Sequence, residues 1–384
     1  MTYELTSEQQ AIFDLARRFA IERLKPSAIA WDQQGHFPLN VIRETAALGF
    51  GGMFISEELG GAGLSRLDGS LVFEGLSYGC PVIAAFISVH NMCGWIIDRF
   101  GSADLRTVWC PRLSSMQTIA SYCLTEPNSG SDAAALRTRA QRHGELYVLN
   151  GTKAFISGAP VSDLYVSMVR TDGDGPRGIS ALVVEKGSEG LSFGAPERKM
   201  GWRAQPTAMV QFDSCRVPAG NLIGKEGEGF RYAMAALDGG RINIAACSLG
   251  AAQSALDLAV DYVKERHAFG RPLADLQSVQ FRLADLETEL GAARVLLRQA
   301  AAKLDARSAD ATKFCAMAKR FVTDAGFRVA NEALQLFGGY GYLADYGVEK
   351  IVRDLRVHQI LEGTNEIMRV IIARSLLSGG TTRD

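Results

Sequence analysis

The segment His358–Glu366 (H-Q-I-L-E-G-T-N-E) carries one carboxylate, Glu362, directly before Gly363 and a run of hydrogen-bonding side chains. A carboxylate held beside a substrate can remove a proton from it as a general base. A Glu near the start of a helix is also an ordinary capping residue, because helix N-termini favour negative charge. By residue type and position alone, Glu362 is therefore either a catalytic base or a helix cap.

Two further segments carry polar or aromatic side chains near predicted strands. Tyr122–Asp132 (Y-C-L-T-E-P-N-S-G-S-D) places small hydroxyl residues and a glycine after an apolar run. Such a loop can offer backbone N–H groups and hydroxyls to a phosphate or to the edge of a ring, and an ordinary polar turn is the alternative. The segment Phe155–Ser157 puts an aromatic ring and a hydroxyl on a strand, and an ordinary strand is the alternative there.

Three charged or glycine-rich segments follow in the C-terminal half. Asp238–Arg241 (D-G-G-R) could bind the polar groups of a thioester ligand or form an ion pair within a helix. Arg266 follows a long predicted helix, where it could contact a pyrophosphate or compensate the helix dipole. Gln335–Gly341 (Q-L-F-G-G-Y-G) looks like a dinucleotide fingerprint, but it ends a helix and does not link a strand to one. That context excludes a Rossmann interpretation.

The elements that must position these residues begin with a helical region and a β region. Up to residue 119 the pattern is helical, and the first helix begins with a capping box formed by Thr6 and Gln9 and ends before Pro26. Between 120 and 228, short runs rich in Val, Ile, Tyr and Phe alternate with turns, and Asn150-Gly151 is typical of a type I′ hairpin. An antiparallel β domain is predicted, with strands over residues 146–149, 154–157, 164–169, 180–184 and 208–212.

Helices return in the C-terminal region. Two of them carry apolar residues at alternating spacings of three and four, over Ile242–Val263 and Leu283–Leu304. A short loop over 267–275 joins the two helices, so they are predicted to pack antiparallel. A third helix over Thr312–Phe337 completes most of a four-helix bundle, and a last helix runs from about Glu366 to Leu377.

Composition narrows the function classes. The 384 residues include 41 basic and 42 acidic side chains, so no excess charge indicates a nucleic-acid or membrane-surface partner. Seven cysteines without a C-x-x-C pair are predicted to be buried and reduced, and five scattered histidines do not predict a metal site. No targeting segment is visible, and the longest apolar stretch, Pro81–Ile97, contains polar residues and is too short to span a bilayer. We expect a cytoplasmic protein that acts on a small molecule.

The order and spacing of these segments resemble the acyl-CoA dehydrogenase family over essentially the whole chain. The stretches C-L-T-E-P-N-S-G-S-D at 123–132 and Q-L-F-G-G-Y-G-Y-L-A-D-Y-G-V-E-K at 335–350 are similar to the two signature stretches of that family. The resemblance implies an α+β fold that is mostly α. Its three domains would be an N-terminal helical domain (1–119), a middle β-barrel-like domain (120–228) and a C-terminal four-helix-bundle domain (229–384).

The resemblance also implies roles for individual residues. Glu362 would be the base, because the α-C–H of a thioester is a very weak acid and its removal needs a carboxylate and donors that stabilise the enolate-like oxygen. In some relatives the base precedes the arginine that corresponds to Arg241; here that position is Gly240, so Glu362 is the carboxylate in a family base position. The residues that would hold FAD are Tyr122, Cys123, Leu124, Thr125, Gly130, Ser131, Phe155, Ile156, Ser157, Arg266, Phe269, Leu276, Gln277, Gln335, Leu336, Phe337, Gly338, Gly339, Thr364, Asn365 and Glu366. The residues that would contact the acyl-CoA are Ser131, Asp238, Gly239, Gly240, Arg241, Gly363 and Arg374, with His90–Trp95 and Leu361 as candidate pocket walls.

The stretches at 88–98, 239–252 and 357–366 are similar to the family members that oxidise isobutyryl-CoA in valine breakdown. We therefore expect FAD-dependent dehydrogenation of a short α-branched acyl-CoA. Isobutyryl-CoA would give methacrylyl-CoA, with hydride passing to flavin N5 and electrons to an electron-transferring flavoprotein. The resemblance further implies a homotetramer. The alternatives are 2-methylbutyryl-CoA or another short acyl-CoA as substrate, a flavin oxidase or monooxygenase, and a non-catalytic acyl-CoA-binding protein of the same fold.

Overall fold

The computed structural model of the protein describes residues 4–378, and most of its elements are helices. The first helix, α1 (Ser7–Phe19), begins with the predicted capping box. The Thr6 hydroxyl accepts from the Gln9 N–H, and the Gln9 side chain accepts from the Thr6 N–H. The other α-helices before the sheet are α2 (Ala28–Gln34), α3 (Leu39–Glu44), α4 (Arg66–Ser77), α5 (Pro81–Phe100) and α6 (Ala103–Ser114).

Helix α5 packs against α4 and α6. Its buried Asn91 is fully bonded, since its side chain donates to the Phe50 and Ile87 carbonyls and accepts from the Met53 N–H. With 20 residues, α5 extends beyond the predicted apolar stretch to Phe100 and is long and apolar enough for a membrane span. The prediction that it is too short was wrong. However, 83% of its apolar window is buried inside the protein, as in a core helix.

The strands form a mixed eight-stranded sheet in the order β6-β7-β3-β2-β4-β5-β8, with β1 paired to β4. Most neighbours are antiparallel, as predicted, but β1 and β2 each pair with β4 in parallel. The predicted antiparallel β domain therefore also contains two parallel pairings. The strands are β1 (Ala120–Cys123), β2 (Arg139–His143), β3 (Leu146–Ser157), β4 (Leu164–Arg170), β5 (Ile179–Glu185), β6 (Leu191–Phe193), β7 (Thr207–Pro218) and β8 (Leu222–Ile223).

The predicted hairpin at Asn150-Gly151 is also wrong, because β3 continues through both residues. A register shift against β7 between Leu149 and Gly151 marks a bulge there. The Asn150 side chain accepts from the Ser214 N–H on β7 at 2.8 Å, which ties the bulge to the neighbouring strand. A Cβ at Gly151 would lie 2.5 Å from the Thr138 hydroxyl, so glycine is required by close packing and not by a turn.

The C-terminal helices follow the predicted pattern closely. All seven apolar seam residues of α7 (Gly229–Glu265) are buried, namely Ile242, Ala245, Leu249, Ala252, Leu256, Ala259 and Val263. Leu283 and Leu304, at the two ends of the seam of α8 (Gln277–Asp305), are only half-buried. The connection between the two helices contains a two-stranded hairpin, β9 (His267–Ala268) and β10 (Arg271–Pro272). The helices are α7 (Gly229–Glu265), α8 (Gln277–Asp305), α9 (Ala311–Phe337), α10 (Val348–Arg356) and α11 (Asn365–Leu377).

An apolar core joins the sheet to the helices. Met92 and Ile96 on α5 pack with Val166 on β4, Ala181 on β5 and Ala236 near the start of α7. The burial of these side chains fixes the sheet against both α5 and α7. The seven cysteines are all buried and free, as predicted.

Candidate active site

A cavity of about 710 Å³ lies where α5, the sheet, α7 and α11 meet. It is lined by residues that are distant in the sequence but were predicted to belong to one site. The predicted site residues in its wall are Tyr122, Leu124, Thr125, Gly130, Ser131, Phe155, Ile156, Ser157, Arg241, Glu362, Gly363 and Arg374.

Unusual backbone conformations cluster at this cavity. Seven non-glycine residues of the described chain have positive φ, and three of them, Phe155 (58°), Trp202 (54°) and Glu362 (57°), line it. Positive φ is unfavourable for residues with a Cβ and persists only where the surroundings hold it. The fold therefore maintains strain at this cavity, as is common at functional sites.

The carboxylate of Glu362 packs against α7. Its Oε2 is buried without a hydrogen-bond partner among residues 4–378, and a Cβ at Gly240 would lie 2.5 Å from that atom. Burial raises the pKa of Glu362 to about 7, while the nearby cations Arg241 and Lys319 act in the opposite direction. A carboxylate with this pKa can accept a proton near neutral pH.

Arg241 connects this carboxylate's turn to α7. Its Nε lies 3.4 Å from the Glu362 carbonyl, which accepts from it, and its guanidinium pairs with Asp238 at 2.6 Å. Asp238 also accepts from Thr312 on α9 at 2.6 Å. Of the D-G-G-R segment, Arg241 lines the cavity and Gly240 faces Glu362, whereas Gly239 packs against Arg66. The intrahelical ion pair and the site contact are thus both present.

The loop after β1 is held by a buried ion pair that was not predicted. Glu126 accepts from Lys153 Nζ at 2.8 Å and from the N–H groups of Arg137 and Thr138 at 2.6 and 2.9 Å. Both charged side chains are buried, so each compensates the other's lost hydration. This anchoring fixes the path of the segment that follows, including Ser131 at the cavity.

Strand β3 ends at the cavity with Phe155 and Ser157. The Phe155 ring is 67% exposed, which is unusual for a large apolar side chain in a sheet. The Ser157 hydroxyl accepts from Gln205 Nε2 at 2.9 Å, and its carbonyl accepts from Ser121 at 2.5 Å. The backbone is thus held while the Phe155 ring stays free to contact a ligand.

Trp202 is a wall residue that was not predicted from the sequence. Its N–H donates to Asp354 on α10 at 2.6 Å, and its indole Nε1 is buried without a partner in the described part of the chain. On the same cavity the hydroxyl of Tyr122 is also buried and has no hydrogen-bond partner between residues 4 and 378. Burial raises the pKa of Tyr122 well above the usual value, with the Glu362 charge adding to the effect. Buried unpaired donors are costly, so these atoms are candidate contacts for a bound polar group.

Three helical stripes also contribute to the wall. Met92, Arg241 and Arg374 in them were predicted, whereas the other members were missed although their spacing is visible in the sequence. Steps of three and four bring each set to one helix face. The stripes are Ala85, Ser88, Val89 and Met92 on α5; Phe230, Met234, Leu237, Arg241 and Ile244 on α7; and Ile367, Val370, Ile371 and Arg374 on α11.

Of the candidate pocket walls, Met92 and Leu361 line the cavity. His90 instead lies 3.0 Å from the Leu113 carbonyl through Nε2, and its Nδ1 accepts from the Ala120 N–H at 3.1 Å. It links α5 to α6 and β1, which is a structural contact.

A second cavity of about 380 Å³ contains the predicted residues at the end of α9. Gln335 to Gly339 line it together with Arg266, whose guanidinium lies 5.5 Å from the centre of the Tyr340 ring. Phe269, in the turn of the β9–β10 hairpin, is 91% exposed. Leu276 and Gln277 form the start of α8 and line neither cavity.

The remaining predicted residues lie beside the first cavity. Thr364 caps α11 by accepting from the Ile367 N–H, and Glu366 is exposed and bonds to Arg369. The Asn365 side chain is buried and bonds to α9. Cys123 packs in the apolar core formed by side chains of the sheet, where burial raises the pKa of its thiol to about 12.

Three domain models of one protein family match this chain in sequence order. The acyl-CoA dehydrogenase N-terminal domain matches residues 6–117, the middle domain 121–215 and the C-terminal domain 227–377. The chain belongs to the acyl-CoA dehydrogenase family. The predicted fold class is thereby confirmed, and membership identifies an oxidoreductase that dehydrogenates an acyl-CoA and indicates a flavin as its cofactor.

Individual relatives cover nearly the whole chain. It is 55% identical over 373 residues to the mitochondrial isobutyryl-CoA dehydrogenase of Bos taurus, a match that covers 97% of this chain and 90% of the relative. Butyryl-CoA dehydrogenase from Megasphaera elsdenii has a TM-score of 0.95 at 37% identity, covering 98% of this chain and 100% of the other. The structure of PigA with FAD and proline has a TM-score of 0.94 at 30% identity, covering 98% and 99%.

Proposed function

We propose that this acyl-CoA dehydrogenase uses FAD to oxidise a short α-branched acyl-CoA, with isobutyryl-CoA giving methacrylyl-CoA. The observation that carries the proposal is the Glu362 carboxylate, whose Oε2 is buried without a hydrogen-bond partner among residues 4–378, in the wall of a cavity bounded by predicted flavin and thioester contacts. Its pKa of about 7 suits a group that must accept a proton at neutral pH.

The chain's own residues account for the proton step. Glu362 takes the α-proton of the thioester, and no hydrogen bond among residues 4–378 uses its backbone N–H. That N–H is therefore available to the carbonyl oxygen on which negative charge develops. Gly363 lies beside Glu362 in the cavity wall, where a Cβ would come within 2.7 Å of the Met368 side chain. Arg241 restrains the turn through the Glu362 carbonyl.

The cavity fits a flavin. Tyr122 and Trp202 offer buried polar atoms that no described residue bonds, and Phe155 offers an exposed aromatic face. FAD held here supplies the acceptor for the hydride that leaves the β-carbon. Thr125, Gly130, Ser131 and Phe155 to Ser157 would hold the ring, and Arg266 with Gln335 to Gly339 would hold the adenosine and pyrophosphate portion.

The predicted FAD contacts are divided between the two cavities. We therefore propose a homotetramer in which one subunit completes the FAD site of another. Support comes from the side chains around the second cavity, where Phe269 is 91% and Tyr342 is 84% exposed. Such a cluster of exposed aromatic rings is typical of a surface that another subunit covers. We also propose an electron-transferring flavoprotein as the acceptor that reoxidises the enzyme, in line with the family.

The identity to the bovine isobutyryl-CoA dehydrogenase and the apolar wall support a short branched substrate. Ala85, Val89, Met92, Ile244 and Leu361 line the cavity with apolar side chains of moderate size. One methylene in such a pocket changes binding by only about 1–3 kcal/mol. 2-Methylbutyryl-CoA is therefore the second candidate, and the two compounds should both react.

The test is anaerobic reduction of the FAD-loaded enzyme by isobutyryl-, 2-methylbutyryl-, isovaleryl- and butyryl-CoA. We expect isobutyryl-CoA to bleach the flavin with the highest kcat/KM. Glu362→Gln should bind FAD and ligand normally but fail to bleach, whereas Glu287→Gln, an exposed carboxylate on α8, should behave as wild type. Full bleaching by Glu362→Gln would disprove the assignment of the base, and a preference for straight-chain butyryl-CoA would disprove the substrate.

A further inference from the structure

A lysine on α9 supports the turn that carries Glu362. Lys319 is fully buried, and its ammonium donates to the Gly363 carbonyl and to the Asn365 side-chain oxygen, each at 2.8 Å. Asn365 is in turn bonded to Thr323 and Asp324 on the same helix. One buried cation therefore ties the residue after Glu362 to the rigid surface of α9.

The geometry of this turn requires such support. Glu362 and Gly363 both have positive φ, 57° and 84°. The left-handed conformation costs a residue with a Cβ free energy, and neighbouring groups must hold it. Arg241 bonds the Glu362 carbonyl at 3.4 Å and Lys319 bonds the Gly363 carbonyl at 2.8 Å. Two cations thus fix successive carbonyl groups, while the Glu362 carboxylate and N–H remain free for the cavity.

The charge of Lys319 acts on Glu362 as well. The charged groups that face Lys319 are Glu362, Arg241 on α7, Glu366 on α11 and Asp324 on its own helix. Burial lowers the pKa of Lys319 to about 8, so it remains mostly protonated at neutral pH. Its positive charge lowers the pKa of Glu362, against the effect of burial. A neutral donor could bond the Gly363 carbonyl, but it could not stabilise the carboxylate.

We propose that Lys319 is a positioning residue for the dehydrogenation: its buried ammonium holds the Gly363 carbonyl so that the turn presents Glu362 to the cavity as a carboxylate. The inference rests on the proposed role of Glu362 as the base. It differs from that proposal because Lys319 does not line the cavity and acts only through the turn.

The experiment compares FAD-loaded wild type, Lys319→Met, Lys319→Arg and Thr323→Val. Lys319→Met keeps the volume and removes the charge. We expect its kcat with isobutyryl-CoA to fall about 10- to 100-fold, as for a misplaced reacting group, with little change in KM. The acidic limb of its kcat/KM profile should move to higher pH, because Glu362 loses a nearby positive charge. Lys319→Arg keeps the charge and should restore the position of that limb.

Thr323→Val is the matched control, since Thr323 bonds Asn365 in the same cluster but not Gly363. It should lower thermal stability without changing kcat or the acidic limb. If Lys319→Met does not fold, Lys319→Gln supplies a neutral donor, and the acidic limb should still move. The proposal would be overturned if the acidic limb of the kcat/KM profile stays at the wild-type position in both Lys319→Met and Lys319→Gln. It would also be overturned if the limb moves equally in Thr323→Val.

The two proposals fail in distinguishable ways. If wild type cannot be reduced by isobutyryl-CoA or any of the related thioesters, or if Glu362→Gln is reduced normally, the proposed base is wrong and the inference falls with it. If wild type and Glu362→Gln behave as expected while Lys319→Met matches wild type, only the role of Lys319 is wrong. Binding of acetoacetyl-CoA, an enolisable analogue, gives a readout independent of turnover, and its affinity should drop in Lys319→Met.

Discussion

At the scale of single residues, the position of the Glu362 carboxylate depends on a glycine, Gly240, which places no side chain against it. Gly240 on α7 lies against Glu362, and a Cβ there would come within 2.5 Å of Oε2 and 2.9 Å of the carboxyl carbon. Both distances are shorter than carbon contacts in folded proteins allow. The glycine therefore creates the space that the buried carboxylate occupies, and the conformation of the turn at 362 is matched to the surface of α7.

Gly240→Ala should accordingly displace the carboxylate and lower kcat by about 100-fold, because a shift of roughly 1 Å in a reacting group costs about that much. FAD content should stay at the wild-type level. The measurement is the rate of anaerobic flavin reduction at saturating isobutyryl-CoA. Gly291→Ala on α8 is the control, since its Cβ would meet open space and the gain in helix propensity is similar. A Gly240→Ala enzyme with wild-type kcat would contradict the packing argument.

Residue types indicated the candidate base, but not how it is held. The polar run after Glu362 and the family resemblance single it out, whereas its positive φ could not be predicted, since that conformation is typical of glycine. Lys319 was missed for a related reason. A lysine on a helix is expected to face solvent, and only the folded structure brings the carbonyl of Gly363 within 2.8 Å of its ammonium.

At the scale of elements, α10 holds a wall of the cavity without lining it. Asp354 is fully buried, accepts from the Trp202 N–H at 2.6 Å and pairs with Lys350 at 2.6 Å. Arg353 on the same helix donates to the Met200 carbonyl at 3.1 Å. These contacts fix the segment between β6 and β7, so the V-E-K-I-V-R-D sequence of α10 determines where the Trp202 ring lies.

Asp354→Asn should lower thermal stability and weaken FAD binding together. The substitution leaves the buried Lys350 ammonium without its carboxylate, and breaking a buried pair costs about 3–5 kcal/mol. It also removes a charged acceptor from the Trp202 N–H. The measurements are the Tm of the apoenzyme and the Kd for FAD. Asp261→Asn, in an exposed pair with Lys264 at 3.7 Å, should change neither, and equal effects in both variants would contradict the proposed role of α10.

Elements were predicted better than their connections. The apolar seams of α7 and α8 are regular because long helices pack along one face. That periodicity can be read from the sequence of each helix alone. Asn150-Gly151 was predicted to form a hairpin turn but lies at a bulge. The dipeptide is compatible with a turn and with a bulge, and only the pairing of β3 with β7 distinguishes the two. The α7 stripe from Phe230 to Ile244 has equally clear spacing, but its apolar members look like core until the cavity is seen.

At the scale of the whole molecule, the three regions are joined through buried polar contacts that depend on neutral side chains. His90 links α5 to α6 and β1, and His358 lies 2.7 Å from Ser248 on α7, between the C-terminal segment and the bundle. His90 accepts from the Ala120 N–H through Nδ1, which is possible only for the neutral ring. The homotetramer and the cytoplasmic location stay predictions at this scale, since both concern surroundings beyond one chain.

Burial lowers the pKa of His90 to about 4 and that of His358 to about 3. The unfolded chain protonates both rings near pH 6.5, so unfolding takes up protons below that pH and the folded state loses stability as pH falls from about 6.5 towards 4. Each ring contributes about 1.4 kcal/mol per pH unit in this window. Burial of Glu362 acts in the opposite sense, because its raised pKa favours the folded state at low pH.

Comparison of variants isolates the contribution of the histidine. A plot of Tm against pH should be less steep for His90→Gln than for wild type, and its slope should be unchanged for His267→Gln, whose ring is exposed. Parallel plots for wild type and His90→Gln would show that His90 does not couple protonation to folding.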